Sequence, residues 1–339
     1  MNNNDLTVGK QIRFWLNNAR YVALPQSLLP AIVAAVMASF DPTFSFPLAL
    51  LAIFGIALAH LSLNLFDDYF DYQKKGVGAR EQLVREGMRA RIGKCDYLTS
   101  GKTTPKKLFL AASVFGILAS ACGIFFIVKW GNIVLLLMAI TILLGLSYSA
   151  PPIRFSYRGL GIFIIALLFG PVLMAGIYIA ATGIYPKQLW YISIPIGLLV
   201  ANVLFSHDIM DLEADKRAGK KTLCTLINRQ EINLIVSALF IFLPYFLILL
   251  GIMNGVFSYY FLLTLLTLPH AFLLHRLLRA FVYHPQKKFS PKWWMQPMEK
   301  WEAITAAGID WFMIRWFLSR NLLIYFSVLI VVAKVISSL

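Results

Sequence analysis

Apolar residues run along this chain in long, nearly unbroken blocks, and the polar residues gather between them. Nine blocks approach or reach the roughly 20-residue length that a helix needs to cross a bilayer. They lie at about 22–40, 46–66, 108–128, 131–150, 161–181, 189–207, 233–251, 256–275 and 320–338. The pattern predicts an all-α, integral, multi-pass membrane protein with nine transmembrane helices. No 150-residue stretch lacks a span, so residues 1–339 read as one polytopic domain. Three connecting segments stand out by length: 72–107 and 208–232, expected as cytoplasmic loops, and 281–319. The last contains K-W-W-M-Q-P-M-E-K-W and D-W-F-M-I-R-W-F. This mixture of Trp and cations reads as an interfacial segment with an amphipathic helix lying on the membrane.

Composition agrees: 59% of residues are hydrophobic and 14% charged, and the mean hydropathy is +0.71. A net charge of +15 would by itself suggest nucleic acid, but the placement of the charge argues against it. Alternating the nine spans from an inside N-terminus puts 28 of the 31 Lys and Arg on one face, leaving only Lys129, Lys187 and Lys334 opposite. That bias marks the cytoplasmic side of a membrane protein. The expected partner of the charge is therefore the lipid bilayer, not nucleic acid. Cys95, Cys122 and Cys224 form neither a C-x-x-C nor a metal spacing.

Against this background the acidic residues are conspicuous. N-L-F-D-D-Y-F-D at 64–71 closes the second span, and D-I-M-D-L-E-A-D at 208–215 closes the sixth. Asn64, Asp67 and Asp71 share the spacing of Asp208, Asp211 and Asp215, as a duplicated four-helix unit would leave behind. The i, i+3, i+7 spacing puts each trio on one helical face, with Asp68 at its border. Two such faces brought together would make a carboxylate-rich mouth. With no His or Cys among them, these hard oxygen donors suit Mg²⁺, and Mg²⁺ commonly bridges a few carboxylates to a substrate phosphate. An apolar interior below such a mouth fits a lipid diphosphate, whose allylic carbon becomes an electrophile when the diphosphate leaves. Glu213 and Lys216 fall off the shared face.

N-L-F-D-D-Y-F-D and D-L-E-A-D-K-R-A-G-K-K-T-L resemble the two aspartate-rich motifs of the UbiA superfamily of intramembrane aromatic prenyltransferases. Y-S-A-P-P-I-R-F-S-Y-R-G-L-G at 148–161 and R-Y-V-A-L-P-Q-S-L-L-P at 20–30 are most similar to the 1,4-dihydroxy-2-naphthoate polyprenyltransferase branch of menaquinone synthesis. The resemblance implies a nine-helix bundle with Mg²⁺ as cofactor. It implies that Asp68, Asp71, Asp211 and Asp215 hold Mg²⁺-diphosphate, with Asp67 and Asp208 as supporting metal-site residues. It implies a polyprenyl diphosphate donor, an aromatic acceptor and loss of carbon dioxide, in a bacterial inner membrane with the site facing the cytoplasm.

Around the motifs, Asn64, Arg20, Lys102, Tyr148, Arg154, Arg158 and Lys220 are candidate substrate-binding residues. Arginine can fork two phosphate oxygens at once; a positive-inside role explains each of these cations equally well. The segment 72–107 could close over the site as a lid. Another acceptor (4-hydroxybenzoate, homogentisate, haem or a chlorophyllide) stays open. A transporter is the reading from a different class, although transporter sites lie near the bilayer midplane, whereas these acids end their spans.

Overall fold

The computed structural model describes residues 8–73 and 95–339, which are helical throughout, with no strand among the described residues. The lid expectation falls largely on residues 74–94, outside the described residues. Two compact units make up the chain. The first comprises the described residues up to Arg158 together with 172–185, and the second comprises 159–171 and 186–339.

In the first unit, α1 (Val8–Asn18), α2 (Pro25–Ala38) and α3 (Phe46–Gln73) precede the single turn α4 (Asp96–Thr99), then α5 (Pro105–Trp130) and α6 (Asn132–Ser147). Helix α7 (Gly161–Thr182) contributes its second half. Helix α3 packs along α5, and Ser62 Oγ crosses between them to the Ala112 carbonyl at 2.8 Å. At the start of α5, Thr104 caps the helix and Pro105 follows at the first position, where its missing N–H costs nothing. The extended end of α3 is sheltered by a small core of Leu61, Leu65, Cys95, Tyr97, Leu98 and Leu108, against which Phe14 and Trp15 of α1 pack.

The second unit holds the first half of α7, α8 (Lys187–Met210), the short helices α9 (Leu212–Arg217) and α10 (Leu223–Ile227), then α11 (Gln230–Met253) and α12 (Tyr259–Tyr283). It ends with α13 (Trp301–Ala306) and α14 (Asp310–Ile336). Glycines set its closest helix crossing. A Cβ added at Gly170 would stand 2.3 Å from the Ser193 carbonyl oxygen, and one at Gly197 would stand 2.3 Å from that of Ala166. Small residues of this kind let helix backbones approach in lipid, where the hydrophobic effect does not drive association. Asn202 Nδ2 to Ser319 Oγ at 3.0 Å and Tyr245 to Thr267 at 2.6 Å link further helices of the unit. Pro171 sits in a π-helical turn, Leu168–Val172, that lets α7 continue past the missing N–H.

All nine apolar stretches are helical, but among the described residues seven helices are long and apolar enough to cross a membrane: α3, α5, α7, α8, α11, α12 and α14. The stretches at 22–40 and 131–150 give α2 and α6, with 14 and 16 residues. Each is cut short at one end: Tyr21–Ala23 forms a tight 3₁₀ turn after a left-handed Arg20, and the chain beyond Ser147 turns into the 148–158 loop.

Two expectations need correction. D-W-F-M-I-R-W-F is no separate helix on the membrane surface but the opening turns of α14, with Phe312, Ile314, Arg315 and Phe317 buried. The expected loop 208–232 contains two short helices and the ends of two long ones. Pro30 lies within α2 without breaking it.

Candidate active site

In the first unit the octet Asn64–Asp71 lies on the uninterrupted α3, so the predicted helical face exists there. Its side chains are held from three other segments. Arg20, at the turn before α2, has φ 59° and ψ 49°, a left-handed conformation that L-residues with a side chain adopt at some cost. That reversal carries its guanidinium back to α3. Nη2 donates to the Asn64 carbonyl at 3.0 Å and pairs with Asp67 Oδ2 at 3.2 Å and Asp68 Oδ1 at 3.1 Å. Asn64 replies through Nδ2 to the Ala19 carbonyl at 2.9 Å.

From α4, Tyr97 donates its hydroxyl to Asp68 Oδ2 at 2.9 Å. Asp68 is only 3% exposed, so it does not face water. The loop after α6 supplies two further donors. The Ser149 hydroxyl donates to Asp67 Oδ1, and the Tyr157 hydroxyl donates to Asp71 Oδ1 at 2.7 Å.

Electrostatics follow from this packing. Burial opposes the Arg20 charge, but the Asp68 and Asp67 carboxylates outweigh it and hold the guanidinium above its ordinary pKa. Burial first, and then the Asp68 charge, push the Tyr97 phenol well above its usual value. Tyr97 therefore stays a protonated donor.

The second octet differs. Helix α8 ends at Met210 and α9 begins at Leu212, so Asp211 sits at a break rather than inside one helix. Helical hydrogen bonding nonetheless persists across it, from Asp211 N to the His207 carbonyl and from Asp215 N to the Asp211 carbonyl, each 2.8 Å. The expected face therefore carries on past a single residue, Asp211, that lies between the two helices. Asp208, Asp211 and Asp215 are all buried, Asp215 to 1% exposure. Lys220 Nζ pairs with Asp215 Oδ2 at 3.5 Å, and its backbone N–H donates to the Asp215 carbonyl at 2.8 Å. Cys224 is fully buried beside the same acids; desolvation, then the Asp208 and Asp215 charges, raise its thiol pKa well above the ordinary range. Glu213 points out to solvent and pairs with Lys216 at 3.1 Å, as its place off the face predicts. His207 packs its ring against Phe312 and Trp316.

The structure thus gathers Arg20, Asn64, Asp67, Asp68 and Asp71 into one cluster, and Asp208, Asp211, Asp215 and Lys220 into another. Three further candidates lie otherwise. Lys102 is exposed on the turn before α5, with no hydrogen bond or ion pair among the described residues. Arg158 is exposed and donates to the Pro152 carbonyl of its own loop at 3.0 Å. Tyr148 is half-buried and its carbonyl receives the Ser156 N–H at 2.9 Å. Arg154 adopts φ 51° and carries a buried Nε with no hydrogen-bond partner among the described residues. Sequence reasoning did not single out Tyr97, Ser149 or Tyr157. The last two lie within the 148–161 motif, and their hydroxyls next to an acidic motif were the available signal.

The UbiA prenyltransferase family model matches residues 27–295. The chain belongs to the UbiA prenyltransferase family. As such it is a prenyltransferase and an integral, multi-pass membrane protein. Among its relatives, the 1,4-dihydroxy-2-naphthoate octaprenyltransferase of Bacillus subtilis is 26% identical over 64% of this chain and 67% of its own. A UbiA prenyltransferase domain-containing protein 1 homologue of Drosophila melanogaster is 27% identical over 79% and 72%. A UbiA homologue from Archaeoglobus fulgidus, solved bound to DMAPP and Mg²⁺, superposes with a TM-score of 0.57 at 18% identity, covering 93% of this chain and 98% of its own. That likeness places this UbiA protein in the same helical fold.

Proposed function

We propose that this protein transfers a polyprenyl group from its diphosphate to an aromatic acceptor, 1,4-dihydroxy-2-naphthoate, with loss of carbon dioxide, and that Mg²⁺ is required. The observation that carries the reading is the pair of acid clusters with oxygen donors only, one in each unit at matched spacing, partly buried in the first and buried in the second. Among the described residues no three His, Cys, Asp or Glu side chains stand together in a way that would cage a metal ion. The carboxylate oxygens of the two acid clusters are the kind of donor that suits an ion completing its shell with diphosphate oxygens. Asp68 and Asp71 of the first cluster and Asp211 and Asp215 of the second are the acids that would hold Mg²⁺-diphosphate, with Asp67 and Asp208 as supporting residues. Bound there, Mg²⁺ would neutralise the diphosphate and make it a leaving group.

The chain's own residues do the rest. Tyr97, Ser149, Tyr157 and Lys220 fix carboxylate orientation before substrate arrives, the preorganisation that makes electrostatic catalysis cheap at the moment of reaction. Arg20 already neutralises two carboxylates and is placed to exchange them for diphosphate oxygens. Arg154, whose buried Nε–H has no hydrogen-bond partner among the described residues, is the better candidate than Arg158 for an anionic substrate group. In the reaction the allylic C–O bond breaks with its electron pair going to diphosphate. The ring carbon bearing the carboxylate then forms the new C–C bond, and loss of carbon dioxide restores aromaticity. The basic bias of the loops supports a cytoplasmic active face, and the relative from Bacillus supports an acceptor of the naphthoate type.

Carboxyl-labelled 1,4-dihydroxy-2-naphthoate, supplied with a polyprenyl diphosphate to the purified full chain, tests both halves. Labelled carbon dioxide should appear in step with prenylated product, and excess chelator should stop it. Turnover of a different aromatic acid alone would remove this acceptor, and undiminished turnover in chelator would remove the metal.

A further inference from the structure

The segment 284–300, between α12 and α13, has no part in the acid clusters, yet it carries four lysines and two tryptophans. Apart from the short turn Trp293–Met295 it has no helix of its own. Side chains of the flanking long helices nonetheless fasten it. Asn321 of α14, fully buried, donates through Nδ2 to the Met295 carbonyl at 2.8 Å and the Pro297 carbonyl at 3.1 Å. Arg320 Nη2 donates to the Pro297 carbonyl at 2.8 Å, and the Tyr325 hydroxyl donates to the Gln296 carbonyl. Trp294 packs edge-on to His270 of α12, with ring centroids 5.2 Å apart.

These fastenings set the depth of the segment. Arg320 opens the last apolar block, and His270 lies little more than one helical turn before the end of the block 256–275. Both neighbours therefore put the segment where hydrocarbon gives way to headgroups. Backbone outside a helix survives near that level only when its polar groups are satisfied. Here α14 satisfies three successive carbonyls, those of Met295, Gln296 and Pro297.

The segment turns outward one tryptophan and its cations. Trp293 is 86% exposed. Lys287, Lys288, Lys292 and Lys300 are exposed as well, and none pairs with an acid among the described residues. The acid of the segment, Glu299, is committed to Arg320 at 3.4 Å. Lys287 Nζ stands 5.6 Å from the Phe289 ring, an aromatic contact rather than an ion pair. An exposed indole at headgroup level, beside lysines without acids, is complementary to an anionic lipid surface.

We propose that 284–300 is a docking surface for anionic phospholipid headgroups, with Trp293 entering the interface and Lys287, Lys288 and Lys292 holding phosphates around it. This narrows to 284–300 the interfacial role expected of 281–319. The partner is the lipid itself, so the inference stands apart from the acceptor and the metal proposed above.

Tryptophan quenching by brominated lipid tests it, with the full chain in vesicles of phosphatidylcholine containing a minor share of phosphatidylglycerol. Bromine is carried near the headgroup end of the acyl chain, on either the neutral or the anionic lipid, in bilayers otherwise alike. Subtracting the signal of Trp293→Phe isolates the Trp293 share. Per brominated molecule, phosphatidylglycerol should quench that share about threefold more than phosphatidylcholine. Lys287→Gln, Lys288→Gln and Lys292→Gln together should bring the ratio near unity, with the melting temperature unchanged because all three side chains are exposed. If neither lipid quenches the Trp293 share, the ring faces water and the proposal fails. Equal quenching by the two lipids in the wild type would leave only ordinary lipid contact. A preference that survives in the lysine variant would assign the attraction to charge elsewhere. Either result overturns the proposal.

Discussion

The two acid clusters share a spacing in sequence but are built by different means. In the first, a continuous helix presents the acids, and donors reach them from residues far along the chain: Arg20, Tyr97, Ser149 and Tyr157. In the second the helix itself breaks at Asp211, and support comes from the next few residues, with Lys220 turning back onto Asp215. Among the described contacts, the first cluster is orientated from distant residues, by the Arg20 cation and three hydroxyls, whereas Asp215 of the second is orientated from nearby, by the Lys220 cation. Equal spacing therefore does not mean equal construction, and each cluster should respond differently to loss of its supports.

The largest effect expected is one the two clusters share. Asp71→Asn and Asp215→Asn should each lower kcat by at least about 10²-fold, roughly 2.7 kcal/mol of transition-state stabilisation. On the proposed reading, each removes a carboxylate that would hold the Mg²⁺ needed to neutralise the departing diphosphate. Steady-state kinetics in reconstituted membranes measures this, with thermal melting to confirm folding. A normal rate for either variant would break the equivalence of the two clusters.

The supports separate the clusters. Lys220→Met removes the ion-pair partner, 3.5 Å away, of a nearly fully buried carboxylate, and a buried charge left uncompensated is costly. Tyr157→Phe removes a neutral hydroxyl from Asp71, a donor to a carboxylate that has more freedom to find water or metal. Lys220→Met should cost about 10- to 100-fold and Tyr157→Phe about 3- to 10-fold. The reverse order would mean that the hydroxyls, not the cation, do most of the orienting.

What the sequence made legible divides along the same line. Apolar blocks are a one-dimensional signal, and all nine became helices. The octet on α3 kept its predicted face because nothing interrupts the helix between Phe46 and Gln73. The break at Asp211 was not legible, because D-I-M-D-L-E-A-D contains no proline or glycine to announce it. Ser149 and Tyr157 meet acids more than 80 positions earlier in the chain, and no local pattern encodes such pairings. Residues 310–319 misled because Trp, Arg and Phe at a helix start look alike whether they face headgroups or a protein interior. In the structure Arg315 is buried, with its Nε donating to the Leu277 carbonyl at 2.9 Å and Phe281 beneath it. A common ancestry of the two octets remains a proposal that their spacing supports.

The smallest effect sharpens the comparison most. Glu213 lies between Asp211 and Asp215 in sequence, carries the same charge and is one methylene longer than they are. If charge near the second cluster were all that mattered, Glu213→Gln would slow the enzyme. The structure argues otherwise: Glu213 faces solvent and pairs with Lys216, an exposed i, i+3 pair of a kind worth little in water. Glu213→Gln should therefore leave kcat and the Mg²⁺ requirement within about twofold of wild type and change stability by no more than about 0.5 kcal/mol. Titrating Mg²⁺ against initial rate for this variant beside Asp215→Asn is the direct measurement. A shifted metal requirement in Glu213→Gln would show that the α8–α9 break presents a different set of carboxylates to the substrate. The burial of Asp208, Asp211 and Asp215 would then be a folding feature rather than the shape of the site.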